Sequence, residues 1–172
     1  MDDELVDVID IKNKTIGQDT KFNVHQKGLR HRVSAVLVVN DNGKYLIPTA
    51  LNKKVEAGLL NHSAAGHVPF GETYLESAKR ELQEETGLIA KVEDFKYLGN
   101  FWMKKDYKVI NVKERFEVFI TRYHPKMGII RLNDEQVDEK WLSKEELKKL
   151  FKESPQKFSY PLSLTCKDIL KL

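Results

Sequence analysis

Residues 66–88 read GHVPFGETYLESAKRELQEETGL, and the spacing within this stretch decides both the fold and the chemistry. Thr73 with Glu76 three places on is a capping box, in which each side chain bonds the other residue's backbone N–H at a helix start. Gly87 with Leu88 behind it fits the glycine stop and hydrophobic contact of a helix end. The stretch therefore predicts a helix of about four turns. At 100° per residue Leu75, Ala78 and Leu82 fall together and can face a core, while Glu81, Glu84 and Glu85 share a neighbouring face. Like charges at i,i+3 and i,i+4 each cost an isolated helix roughly 0.2–0.5 kcal/mol, so such a cluster invites a cation. Carboxylate oxygens with no cysteine nearby favour hard ions, Mg²⁺ first and Mn²⁺ as the alternative. Arg80 can pair with Glu76 one turn back or brace Glu72 at the loop–helix junction. Several glutamates on one helix ordinarily mean a solvated face; the fixed places of Gly66, Arg80 and Gly87 around them argue for a site.

Upstream, residues 52–71 hold glycines, a proline and few periodic apolar residues, which reads as a long loop of the kind that usually carries function. Before it, Arg32 to Asn40 (RVSAVLVVN) is a β-branched run, Asp41-Asn42-Gly43 a turn, and Tyr45 to Ile47 a return, giving a hairpin. The chain opens on another: Glu4 to Asp10 alternates, Lys12 to Lys14 turns, and Thr15 to Gln18 returns. Downstream, Phe95–Trp102 and Asn111–Tyr123 read as strands joined by a charged turn at Lys104–Lys108. Gly128–Leu132 reads as a short strand and Asn133–Lys140 as an acidic loop. Ser143 with Glu146 opens a second capped helix to about Phe151, Pro155 and Pro161 punctuate, and Leu162–Leu172 forms a last helix. Strands interleaved with helices give an α+β class, a mixed sheet covered on its faces. One domain spanning 1–172 is expected, with 1–28 an accessory hairpin and lead-in and 29–172 the core.

The 172 residues are 41% hydrophobic and 32% charged, enough for a packed interior and too apolar for disorder. Net charge is +3 with both signs interspersed, so no nucleic-acid partner is implied, while a polyanionic small molecule suits the surface. MDDELVDVID is acidic and lacks the basic and apolar regions of a secretory signal. No run approaches the roughly 18 apolar residues of a membrane span. Cys166 stands alone, reads as a small apolar filler rather than a catalytic thiol, and suits a reducing, cytoplasmic setting. Monomer and homodimer both fit.

Gly66, five residues, Glu72, seven residues, then Arg80-Glu81-Leu82-any-Glu84-Glu85-any-Gly87-Leu88 is the Nudix box. With average residue usage its chance occurrence in a chain this long has a probability on the order of 10⁻⁷. By it the chain resembles the Nudix superfamily. The resemblance implies an α/β/α sandwich and divalent-metal-dependent hydrolysis of a diphosphate linkage, in a nucleoside diphosphate derivative or similar small phosphorylated metabolite. It implies metal ligands at Glu81, Glu84 and Glu85, a base or water-orienting role for Glu81, backbone carbonyls near the metal at Gly66, and Arg80 bracing Glu72. A further acid is expected from a later strand or loop, where Glu114, Glu117, Glu135 and Glu139 are candidates and Glu117 is favoured. Lys53, Lys54 and His67 are candidate substrate contacts.

A second likeness lies upstream. Leu51-Asn52-Lys53-Lys54, Gly58, Ser63-Ala64-Ala65-Gly66-His67 and Gly71-Glu72 are similar in spacing to isopentenyl-diphosphate isomerase, of the same superfamily, and His31 and Glu114 stand near positions of that enzyme's metal ligands. The pattern departs at Ala65, where the isomerase has its catalytic cysteine, while the full Arg-Glu-Leu-any-Glu-Glu element is kept. The expectation is an isomerase-like scaffold with hydrolase chemistry. Two alternatives are an isomerase proper, disfavoured because alanine cannot transfer a proton, and a non-catalytic module that senses a nucleotide through the same cleft.

Overall fold

The computed structural model describes residues 4–51, 57–107 and 110–172. Its centre is β3 (His31–Val39), the β-branched run seen in the sequence. β3 pairs in parallel with β8 (Ile110–Arg122) on one edge. Its other edge is shared by β4 (Tyr45–Leu46) and the antiparallel β6 (Ala64–His67). β7 (Phe95–Tyr107) pairs antiparallel with β8, and β10 (Trp141–Leu142) pairs with β4, completing a mixed six-stranded sheet. Two smaller pairs flank it: β1 (Leu5–Ile9) with β2 (Thr15–Thr20), and β5 (Thr49–Ala50) with β9 (Gln136–Val137).

A strand buried on both faces reads as a nearly continuous apolar run, and β3 does. Val33, Ala35 and Leu37 join Phe116, Val118, Leu147, Leu162 and Cys166 in one core. Val36 and Val38 join Phe119, Ala78, Leu82, Leu88 and Met127 in another, across the sheet. The first lies under α3 (Lys144–Glu153) and α4 (Tyr160–Leu164), the second under α2 (Tyr74–Thr86). This is the expected α/β/α sandwich. Leu82 is fully buried, and its truncation to alanine in such a setting costs about 2–5 kcal/mol.

α2 is capped as its sequence dictates. Thr73 and Glu76 form both bonds of the capping box, and Gly87 stops the helix at φ 72°, a left-handed conformation that favours glycine. α3 repeats the device with Ser143 and Glu146. The opening hairpin and the 32–47 hairpin also stand where expected.

Several elements differ from the expectation. A helix, α1 (Lys21–Lys27), follows the opening hairpin, capped by Thr20 and ended by Gly28 at φ 60°. The long loop contains β6, which the sequence hides because Ala-Ala-Gly-His has no apolar–polar alternation; small side chains instead let α2 lie close over the strand. Lys104 and Lys105 are not in a turn: β7 runs on through them, paired with Lys113 and Val112. Among the described residues Gly128–Leu132 joins no sheet, and its backbone serves the end of α2. The last helix starts earlier, with Ser159 as N-cap and Pro161 in the first turn, where proline loses no helical bond, and it passes into a π turn at Thr165–Ile169.

Among the described residues no helix is long and apolar enough to cross a membrane.

Candidate active site

The face of α2 toward β6 is set by a four-residue period. Ser77 Oγ donates to the His67 carbonyl at 3.3 Å, and Glu85 Oε2 accepts from the Ala65 N–H at 3.4 Å. Between them the Glu81 carboxylate lies against Gly66, so closely that a β-carbon there would stand 2.1 Å from it. Residues 77, 81 and 85 thus run along 67, 66 and 65. Gly66 is needed for space, not for an unusual backbone angle.

Glu81 is largely buried, Glu85 is 4% exposed, and Glu84 stands 55% exposed at the rim. All three line one cleft of about 580 Å³, which also receives Gly66, Arg80 and His67. Burial pushes the Glu81 carboxyl above the usual carboxylate range, with the Arg80 charge acting against it. Arg80 settles its open pairing: it meets Glu72 at 3.4 Å, Glu81 at 2.8 Å and Glu84 at 3.2 Å, and donates to the His67 carbonyl at 3.3 Å. Glu76 is engaged by Thr73 instead.

A second cluster faces the same cleft. His25, His31, His67 and Glu114 bring ligand atoms within 4.8 Å of one another. His31 and Glu114 are register partners across β3 and β8. His67 comes from β6, and His25 from α1. His25 Nε2 is 3.1 Å from His67 Nε2, and Glu114 Oε1 is 3.3 Å from His31 Nε2 and 3.6 Å from His67 Nε2. The His31 and His67 rings stack, with His25 edge-on to both. His31 Nδ1 donates to the Leu29 carbonyl at 3.0 Å, a partner that accepts only. Its Nε2 is left facing the Glu114 carboxylate, an arrangement that a proton or a metal cation between them satisfies. Burial lowers the His67 pKa to about 3 and that of His25 below its ordinary value. Burial alone would raise the Glu114 carboxyl, but its contacts with His31 and His67 outweigh that effect and hold it well below the carboxylate range.

Glu117, favoured by the sequence as the further acid, is not among the residues lining the cleft. Side chains alternate along a strand: Val112, Glu114 and Phe116 of β8 line the cleft, and Glu117 falls on the opposite face, within reach of the charges of Arg115 and Arg32. Burial raises its pKa, with those two charges opposing. Glu135 does line the cleft, while Glu139 accepts from the Trp141 indole N–H at 2.9 Å. Lys53 and Lys54 lie outside the described residues. Sequence reading missed His25 and Lys21, both on the unforeseen α1 and both lining the cleft; Thr20 and Gly28, a capping pair around seven residues, were the available signal. Cys166 is fully buried, and burial pushes its thiol up to about 12, as befits a core residue.

The protein is thus a three-layer fold in which carboxylates of one helix lie against a glycine-containing strand and open on an acid- and imidazole-lined cleft. The chain belongs to the NUDIX domain family, whose model matches residues 29–161. It is 33% identical over 164 residues to an isopentenyl-diphosphate Delta-isomerase 2 of Photorhabdus laumondii, covering 91% of this chain and 87% of that one. An isopentenyl-diphosphate Delta-isomerase of Serratia proteamaculans is 37% identical over 92 residues, 53% of this chain and about half (51%) of that protein. In fold it is similar to DR0079 of Deinococcus radiodurans, with a TM-score of 0.74, 21% identity, and coverage of 96% of this chain and 99% of that one.

Proposed function

We propose that the protein hydrolyses a diphosphate linkage in a nucleoside diphosphate derivative or a similar small phosphorylated metabolite, with Mg²⁺ or Mn²⁺ held by Glu81, Glu84 and Glu85 beside Gly66. The observation that carries this reading is the run of Glu81 and Glu85 along β6, opening into the cleft. Partly buried carboxylates converging with no cysteine nearby suit a hard divalent ion. When bound, it neutralises phosphate oxygens and acidifies a water. Arg80 braces Glu72, Glu81 and Glu84 and keeps positive charge at the rim, where Lys21 adds to it. Glu81, with its carboxyl pKa raised by burial, is suited to take a proton from the attacking water. Glu114 replaces Glu117 as the further acid at the cleft. His25, His31, His67 and Glu114 suit an ion that accepts imidazole nitrogen, such as Mn²⁺ or Zn²⁺.

Glu85→Gln and Glu84→Gln should each lower turnover by at least about 10²-fold with the fold intact, because metal assistance is lost. Product release from nucleoside diphosphate derivatives, dinucleoside polyphosphates and prenyl diphosphates, followed with Mg²⁺ and with Mn²⁺, is the measurement. Full activity in both variants would remove the assigned ligands.

The isomerase relatives favour a second reading, isomerisation of a prenyl diphosphate. Ala65 lines the cleft with a methyl group that cannot transfer a proton, and Phe116, stacked on Phe101 at 4.8 Å, adds a second inert group to its wall. NMR in deuterated buffer separates the two: deuterium entering isopentenyl diphosphate would favour isomerisation.

A further inference from the structure

The end of α2 is met by the segment that runs from Gly128 into β9. The Arg131 N–H donates to the Thr86 carbonyl at 2.8 Å and the Asn133 N–H to the Glu85 carbonyl at 3.1 Å. Two carbonyls that a helix end leaves open are thereby satisfied. Three residues on, Gln136 stands in register with Ala50 of β5, and the Leu51 N–H donates to the Glu135 carbonyl at 2.7 Å. The backbone of Gln136 is therefore fixed from both sides, by α2 and by the β5–β9 pair.

Its side chain is 2% exposed and brings Nε2 to 2.5 Å from Glu85 Oε2. A carboxylate only accepts, so the amide presents its NH₂ to Glu85 and its carbonyl turns away. That Gln136 Oε1 is buried and has no hydrogen-bond partner among the described residues. A buried acceptor without a donor is rare in folded proteins, and the fold that leaves this one so holds the amide in place for what its NH₂ does at Glu85.

We propose that Gln136 is a positioning residue for Glu85. Its N–H pins Oε2, together with the Ala65 N–H, so that the carboxylate meets an ion in one orientation. The inference rests on Glu85 being a metal ligand, as in the proposed function. Groups that orient a metal ligand are typically worth about 10- to 100-fold in metal affinity.

The test is a Mn²⁺ titration read by the EPR signal of the free ion. Gln136→Met keeps the length and volume and removes both amide functions; its Kd for Mn²⁺ should rise by about 10-fold or more. Thr49→Val is the control: it strips a hydroxyl that contacts Asp138 and Lys140 on the same β5–β9 pair and leaves Glu85 untouched, so its Kd should stay at the unaltered value. An unchanged Kd in Gln136→Met, or an equal loss in both variants, overturns the proposal while leaving Glu85 as a ligand. Absence of Mn²⁺ binding in the unaltered protein overturns it together with the ligand assignment. A measurement on the unaltered chain guards against a variant that does not fold: the side-chain NH₂ of Gln136 should shift in ¹H–¹⁵N spectra on Mg²⁺ titration, and a pair of resonances unmoved by Mg²⁺ sinks the idea.

Discussion

The Nε2 atoms of His25 and His67 stand 3.1 Å apart, one ring carried by α1 and the other by the glycine-containing strand β6. Burial holds the folded-state pKa of His67 at about 3 against 6.5 for an ordinary imidazole. Between those values the unfolded chain binds a proton that the folded chain refuses. The unfolding free energy therefore climbs as pH rises from 3 to 6.5 and levels above it. Urea midpoints of the metal-free protein should trace that course, and His67→Gln should flatten the slope over the same window. A slope identical in both proteins would refute the assignment.

Gly66→Ala tests the close approach of strand and carboxylate. The new β-carbon would meet the Glu81 carboxylate at 2.1 Å, and β6 cannot retreat because Gly66 is paired with Ser34 of β3. Glu81 must swing out. Thermal and urea unfolding should show a loss of about 1–3 kcal/mol, the usual effect of overfilling a packed site. Turnover should fall at least as far as in Glu85→Gln; wild-type turnover would show that Glu81 is free to sit elsewhere.

Asp7 and Arg32 join the opening hairpin to the core. Asp7 accepts from the guanidinium at 2.8 Å, Asn13 accepts from it through its backbone carbonyl at 2.8 Å and its side chain at 3.1 Å, and the Tyr74 hydroxyl donates to the same Asn13 side chain at 3.0 Å. Asp7 is 5% and Arg32 16% exposed in their side chains. Asp7→Ala leaves a poorly solvated cation with one acceptor fewer, at a cost of about 3 kcal/mol. Denaturant unfolding checks this, and a change under about 1 kcal/mol would place the pair among weak surface contacts.

The parts legible beforehand were those governed by local chemistry. Thr73, Glu76 and Gly87 mark the ends of α2 because caps act within a turn or two of their own residue, and the β3 run declares itself because a doubly buried strand must be apolar throughout. What escaped depends on contacts distant in sequence. β6 forms because β3 offers it an edge, and its alanines and glycine carry no strand signature. The sequence favours Glu117 over Glu114 because composition does not reveal which side of β8 meets the cleft; the alternation of side chains, anchored by Phe116, turns Glu114 toward it. The partnership of His25 with residues 31, 67 and 114 is a product of tertiary folding, visible only when α1 is seen to lie over the end of β8.

The segment shared with the family begins at residue 29, four places after His25. A fragment trimmed to that border would keep three corners of the imidazole–carboxylate cage and discard the fourth. Because α1 comes directly after a hairpin latched through Arg32, whatever loosens the latch also dilutes the local concentration of His25 at the cage. Mechanical attachment of the leading piece and the coordination chemistry behind it are in that sense one trait, and should weaken together.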